Sequence, residues 1–271
     1  MTYINTNTLN TIWTQPETSM TRRINPVQTT YTNNTSSKNL GSAFKPKRAG
    51  SKESHIVFVL DDSASMQSCR DQTISGFNEF LEGQKLDAEK TGIKTYVSLY
   101  KFDGMNVSCA IDRKDVSKVE PINKNTYNPC GSTNLLDAMG GVMMQVNNLL
   151  SEKKKKNRES VIIAILTDGQ ENSSSMFINS DIKQMVEKAE GKNWGFMFLG
   201  ANIDAFAVGS QFGFSQHNTM QYTTSNMADT MRSAGAMSSR MKSAYASGMD
   251  TTVAYASSAF TDEERNSSLE D

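Results

Sequence analysis

Three stretches of the chain are unbroken apolar runs: His55 to Leu60 (HIVFVL), Val161 to Leu166 (VIIAIL) and Trp194 to Leu199 (WGFMFL). Runs of this length without polar alternation predict strands buried on both faces, as in a parallel sheet. Between them the pattern changes. Ile74, Phe77, Phe80 and Leu81 fall at helical spacing within 74–90. Thr95 to Phe102 reads as a further strand, with Asn106 to Asp112 as its hairpin partner across Asp103-Gly104. Residues 115–129 read mostly as loop. Leu135 to Leu150 is a long apolar-patterned helix that ends in a lysine run, Asp181 to Ala189 an amphipathic helix, and Ala205 to Phe212 a short one. Met227, Met231, Ala234, Met241 and Tyr245 share one side of a closing helix, where methionines serve as core rather than as an adaptable interface.

Strands alternating with helices predict an α/β fold. The expected form is a Rossmann-like three-layer sandwich, with a mostly parallel central sheet and one antiparallel edge strand. The domain is expected over 53–255. Residues 1–52, rich in Thr, Asn and Ser, cannot bury enough apolar area to offset ordering entropy, and read as a flexible arm. Such an arm is either a plain terminus or a segment that orders against another protein. Residues 256–271, ending TDEERNSSLED, read as a frayed tail.

Charge narrows the function classes. Lys and Arg number 28 against 29 Asp and Glu, a net charge of -1, which argues against nucleic acid or an anionic membrane as partner. The polar start MTYINTNTLNTIWTQ lacks the apolar stretch of a secretory signal. Nor does any segment approach the roughly 18 consecutive apolar residues of a membrane span. The odd, sparse set Cys69, Cys109 and Cys130 fits reduced thiols and a cytoplasmic setting. Cys69 and Cys130 flank the same loops, but small buried side chains are the plainer reading than a redox pair. No glycine fingerprint follows the first strand and no phosphate loop occurs, so no nucleotide is expected.

The candidate chemistry lies at strand ends. Open parallel sheets bind ligands beyond the carboxyl ends of their strands, at a switch point. The first strand is followed by Asp61-Asp62-Ser63-Ala64-Ser65, and the second apolar run by Thr167-Asp168-Gly169. Gly131-Ser132-Thr133-Asn134 opens the long helix. All three places fall on one edge of the sheet. Hydroxyls from Ser63, Ser65 and Thr133, with carboxylates from Asp61 and Asp168, suit a hard divalent cation, Mg²⁺ or Mn²⁺. So few carboxylates leave the ion under-neutralised, and it attracts an acidic group of another molecule. That chemistry gives binding, not turnover. The plainer alternative has Ser63 and Thr133 capping helices and Asp61 accepting backbone amides; it accounts for one element, not for the coincidence of three.

D-x-S-x-S after an apolar strand, a threonine in G-S-T-N-L and T-D-G after another apolar strand together resemble the metal-ion-dependent adhesion site of von Willebrand factor A (vWA) domains. The resemblance spans roughly 54–245, and LGANIDAFAVGSQFGFS and GSTNLLDAMGG further resemble small single-domain bacterial and bacteriophage members. It implies that Ser63, Ser65 and Thr133 ligate the metal directly, that Asp61 and Asp168 act mainly through water, and that a partner protein supplies a carboxylate. One departure is Ala64, where the family often has glycine. If that position needs a positive φ, alanine strains the loop by about 1 kcal/mol or more.

Rival readings are weaker. A phospho-receiver domain would use the pair Asp61-Asp62, Asp103, Thr133 and a lysine from Lys153 to Lys156, but Thr133 follows no apolar strand and the lysines follow a helix. His55 and His217 are the two histidines, at a strand start and in a polar loop, and no G-x-S-x-G elbow accompanies them. Glu171, near Asp168, is better placed to cap a helix than to act as an acid or base. The basic run Lys153 to Lys156 with Arg158 reads as a solvated helix end, since no aromatic platform accompanies it. The expected function is therefore a vWA-type protein-binding module and not an enzyme. The alternative is a structural or assembly protein, for example of a phage virion, docking through its arm with the metal site secondary.

Overall fold

The computed structural model describes residues 2–3, 50–153 and 159–269. Most of the arm expected over 1–52, and the basic residues 154–158, lie outside the described residues. The element order is β1 (Thr2–Tyr3), β2 (Glu53–Asp61), α1 (Arg70–Thr91), β3 (Lys94–Phe102), β4 (Val107–Asp115), α2 (Leu135–Ser151), β5 (Ser160–Thr167), α3 (Asn179–Glu190), β6 (Trp194–Ala201), α4 (Ala205–Gln211), β7 (Thr219–Tyr222), α5 (Met227–Ala246), α6 (Thr251–Ser258) and α7 (Asp262–Ser267). The sheet order is β1-β4-β3-β2-β5-β6-β7. β3, β2, β5, β6 and β7 run parallel, β4 is antiparallel to β3, and the two residues of β1 add antiparallel to β4. The expected α/β sandwich with a mostly parallel sheet is what forms.

The apolar runs explain it. On β2, Ile56, Phe58 and Leu60 pack to one side, with α1 and α5, while Val57 and Val59 pack to the other, with α2 and α3. β5 divides likewise, Ile162, Ala164 and Leu166 against Val161, Ile163 and Ile165. Side chains alternate across a strand, so a strand covered twice must be apolar at every position. Phe58 sits between the rings of Phe77 and Phe80, at centroid distances of 5.2 and 4.9 Å. Burying it contributes about 2–3 kcal/mol. Met227, Met231, Met237 and Met241 of α5 are fully buried in the same layer, the core role expected for them.

Neither α6 nor the two-residue β1, within the expected arm, was anticipated from the sequence, and two further places differ. β7 falls where a polar loop was expected; four residues, TMQY, are too few to show a period, and pairing with β6 decides their conformation. The tail expected to fray over 256–271 instead contains α7. A capping box of Thr261 and Glu264 opens that helix. Arg265 donates to the carbonyls of Thr219 and Gln216, Ser268 donates to that of Gln221, and Arg240 pairs with Glu264 at 2.8 Å. These are long-range polar ties, which leave no hydrophobic periodicity to read.

At the amino ends of β2 and β5, opposite the candidate site, lies a buried polar cluster. Glu159, 2 % exposed, accepts from Arg113 Nε and Nη2 at 2.8 and 2.9 Å and pairs with Lys153. Burial pushes its carboxyl up, but Arg113 and Lys153 outweigh that and hold it below the usual range. His55 is the structural histidine expected, its Nε2 2.8 Å from Ser98 Oγ. Burial, only partly countered by Glu159, depresses it to about 3. Its folded value thus lies below its unfolded value of about 6.5, so the unfolded chain takes up the proton first and stability falls as pH drops from about 6.5 toward 3. The limiting slope is about 1.4 kcal/mol per pH unit. Urea denaturation at pH 7, 5.5 and 4.5 should show that loss, and a His55→Gln variant should show a flatter profile between 6.5 and 5; equal slopes would exclude His55 as the source.

Candidate metal centre

The order of strands reverses at β2, with β3 on one side and β5 on the other, so the crevice beyond their carboxyl ends is the switch point of the sheet. Three loops meet there. The first leaves β2: Asp61 is fully buried, Ser63 nearly so, and Ser65 is exposed within the 3-10 turn Ala64–Cys69. The second precedes α2 and brings Thr133, 3 % exposed. The third leaves β5 and brings Asp168, 4 % exposed.

The side-chain oxygens converge. Ser63 Oγ lies 3.1 Å from Ser65 Oγ, and Ser65 Oγ donates to Asp168 Oδ1 at 2.6 Å. A β-carbon placed on Gly169 would lie 3.3 Å from Thr133 Oγ1, 3.6 Å from Ser65 Oγ and 4.0 Å from Asp61 Oδ2. One small space is therefore walled by all three loops, and glycine at 169 keeps it open. Neighbouring ligands of an octahedral Mg²⁺ at 2.0–2.1 Å lie roughly 3 Å apart, which is the spacing of the Ser63 and Ser65 hydroxyls. The donor set is all oxygen. Among the described residues, no group of three or more His, Cys, Asp or Glu is placed to hold a metal, so a cation here relies on hydroxyls. Residues 61, 63, 65, 133 and 168 fit a hard divalent ion.

Capping does not explain the hydroxyls. Ser63 precedes the 3-10 turn without a side-chain cap bond, and the N-cap of α2 is Asn134, not Thr133. Asp61 does accept a backbone amide, from Ser63 at 2.8 Å, and also the Thr167 hydroxyl at 2.5 Å. Burial raises Asp61 to about 6 against those hydrogen bonds, with Asp168 adding a little. Burial likewise raises Asp168, which Ser65 partly offsets. Two carboxyls pushed up by desolvation gain from a cation beside them.

Residues beyond the five candidates hold the loops. Tyr127, fully buried, donates its phenol to the Asp61 carbonyl at 2.8 Å. Asn172 accepts from Thr133 N at 3.0 Å and donates its own N–H to the Thr133 carbonyl at 3.1 Å. Glu171 accepts from Leu136 N in the first turn of α2, the capping role expected of it. Asp137 accepts from the amides of Ser175, Met176 and Phe177. Gly131, at φ 83°, supplies a left-handed backbone just before Thr133, and its carbonyl takes the Ala64 amide at 3.0 Å. Gly104 is needed because a β-carbon there would meet Ser132 Oγ at 1.7 Å.

No protein-family model matches the chain, and no curated protein matches it. Solved structures do. The vWF domain of the type V pili tip protein Mfa5 from Porphyromonas gingivalis matches with a TM-score of 0.50 at 11% identity, over 69% of this chain and 95% of that one. This is a vWA-type fold. Proximal thread matrix protein 1 from the mussel byssus also matches, with a TM-score of 0.48 at 13% identity, over 70% of this chain. A form of it described as having a zinc-occupied MIDAS motif has a TM-score of 0.46 at 14% identity, over 71% of this chain. The chain spans about half the length of the mussel protein, 49% and 47% in the two forms.

Within the vWA-type fold, Ala64 is not strained. Left-handed non-glycine residues among those described are Arg113, Asn193 and Asn202. Ala64 enters the 3-10 turn, where a methyl group is tolerated, so the anticipated weakening of the loop does not arise. Of the other motifs, Asp103 lies beside the Thr133 loop, its Cβ 3.5 Å from a β-carbon placed on Gly131. Asp103 Oδ1 accepts from Met105 N and Asn106 N and so shapes the hairpin turn. Lys153 pairs with Glu159 at the far end of the sheet, about 20 Å off at 3.3 Å per residue. Lys153 is thus too far from the site to serve the receiver reading, and Lys154 to Lys156 lie outside the described residues. His217 is exposed and distant, and all three cysteines are free. Among the described residues, no helix is long and apolar enough to cross a membrane.

Proposed function

We propose that this chain is a protein-binding module in which Asp61, Ser63, Ser65, Thr133 and Asp168 hold a divalent cation, Mg²⁺ or Mn²⁺, that recruits a carboxylate from a partner protein. The observation that carries the reading is the shared space at Gly169, bounded by oxygens from three chain-distant loops. The hydroxyls add no charge, so the bound ion keeps attraction for an anion. Ser65 is exposed, so the anion has a way in. The Ser65 hydroxyl on Asp168 is in this reading a metal ligand and not an activated nucleophile, so the function is binding rather than catalysis. The Thr167 and Tyr127 hydroxyls, the Ser63 amide and Asn172 hold Asp61 and Thr133 in place, so the cation meets a preformed cradle.

Calorimetric titration of the full chain with Mg²⁺ and then Mn²⁺, after chelator treatment, tests the reading. One site of micromolar to millimolar affinity is expected, with acetate binding to the loaded protein and not to the metal-free protein. A chain that takes up neither ion, or that binds acetate equally with and without metal, would not work this way.

A further inference from the structure

Lys101 is an unexpected residue in β3. The strand reads KTYVSLYKF, and its last six residues are buried. Alternation puts Lys101 on the same face as Val97 and Leu99, which is an apolar layer. Lys101 is nevertheless only 7 % exposed, with its ammonium 2.7 Å from Asp62 Oδ2, and Asp62 is itself 8 % exposed. Asp62 stands between the two first residues of the candidate metal loop. Its amide donates to the Phe102 carbonyl and its carbonyl accepts from Cys130 N, both at 2.7 Å, so it is fixed between the hairpin strand and the loop that carries Thr133.

We infer that Lys101 sets the charge of the metal site: by offsetting Asp62 it leaves the loaded centre neutral rather than negative, so that the centre accepts an anionic ligand. The inference rests on the metal-binding reading given above. On the metal loops themselves, Asp61, Asp62 and Asp168 together carry one negative charge more than a divalent cation supplies, and Lys101 cancels that excess; Asp103, half-buried on the hairpin, repels Asp62 from outside that set. Those three carboxylates and Lys101 are buried, where charges are screened little by solvent or salt. A buried lysine placed only to tie β3 to the next loop would not need its carboxylate beside the metal ligands.

The test depends on two effects of opposite sign. In Lys101→Met the site becomes more negative, so Mn²⁺ binds more tightly, by roughly fivefold or more, while acetate binds the loaded protein more weakly by a similar factor. Calorimetry at pH 8 reads the first, and paramagnetic relaxation of acetate protons by bound Mn²⁺ reads the second. Adding Asp62→Asn to that variant removes the surplus carboxylate and restores both affinities, and Lys101→Arg preserves both. A purely structural lysine predicts that metal and acetate affinity fall together and that Asp62→Asn rescues neither; that result overturns the inference and leaves the metal site standing. Wild-type protein that binds no Mn²⁺ overturns both. Unchanged affinities in Lys101→Met overturn the charge-setting role alone.

Discussion

Asp168→Asn should reduce Mg²⁺ and Mn²⁺ affinity by about 100-fold or more while leaving the metal-free fold intact. Losing outer partners of a metal site costs 10–100-fold, and here a negative charge is removed from the ligand set itself. The asparagine oxygen can still accept the Ser65 hydroxyl that Asp168 now takes at 2.6 Å. Burial already opposes the charge on Asp168, so neutralising it costs the metal-free protein little. The two consequences separate in a thermal melt. At a metal concentration about 100 times Kd, wild-type protein gains about 2.7 kcal/mol, a rise of roughly 5–10 °C for a domain of this size. Asp168→Asn should start from the same metal-free midpoint and show none of that rise at the same concentration. A variant that still shifts with metal would place the cation somewhere else.

The largest effect on stability is expected at the opposite end of the sheet. Glu159→Ala would leave the Arg113 guanidinium without its bidentate acceptor and strip a partner from Lys153. Removing one member of a buried ion pair costs about 3–5 kcal/mol, here a fall in Tm of roughly 10 °C. Arg113 is also held at φ 35° and lies over the Tyr96 ring at 3.7 Å, so its backbone conformation depends on that anchoring. Arg113→Ala and Glu159→Ala combined should cost less than the two single changes together, by at least about 1 kcal/mol. Additive losses in guanidinium unfolding would mean that the pair is not coupled.

Much of this architecture could be read from residues alone. Apart from His55, the runs HIVFVL, VIIAIL and WGFMFL carry no polar side chain because two helical layers cover them. The metal candidates were legible for a related reason: two of the three loops leave strand ends at a switch point, where a sheet presents side chains, and the hydroxyls of Ser63, Ser65 and Thr133 are hard to explain by capping. What stayed hidden depends on pairs distant in sequence. Lys101 meets Asp62 across 39 positions, and Tyr127 reaches the Asp61 carbonyl across 66. Neither spacing has a period. β7 and α7 were missed because a neighbouring strand and a few arginine contacts hold them, not their own amphipathicity. Ala64 misled because a family habit stood in for a backbone angle.

The distribution of methionine has a chemical corollary. Thioethers become polar sulfoxides where oxidant reaches them. Met227, Met231, Met237 and Met241 are sealed between α5 and the sheet, while Met105 is 89 % exposed on the hairpin and Met176 45 % exposed on the loop held by Asp137. Among the described residues, peroxide would therefore mark those two connections ahead of Met249, 37 % exposed, altering the wetting of the surface around the cleft, while the interior remained chemically silent until the helix lifted away.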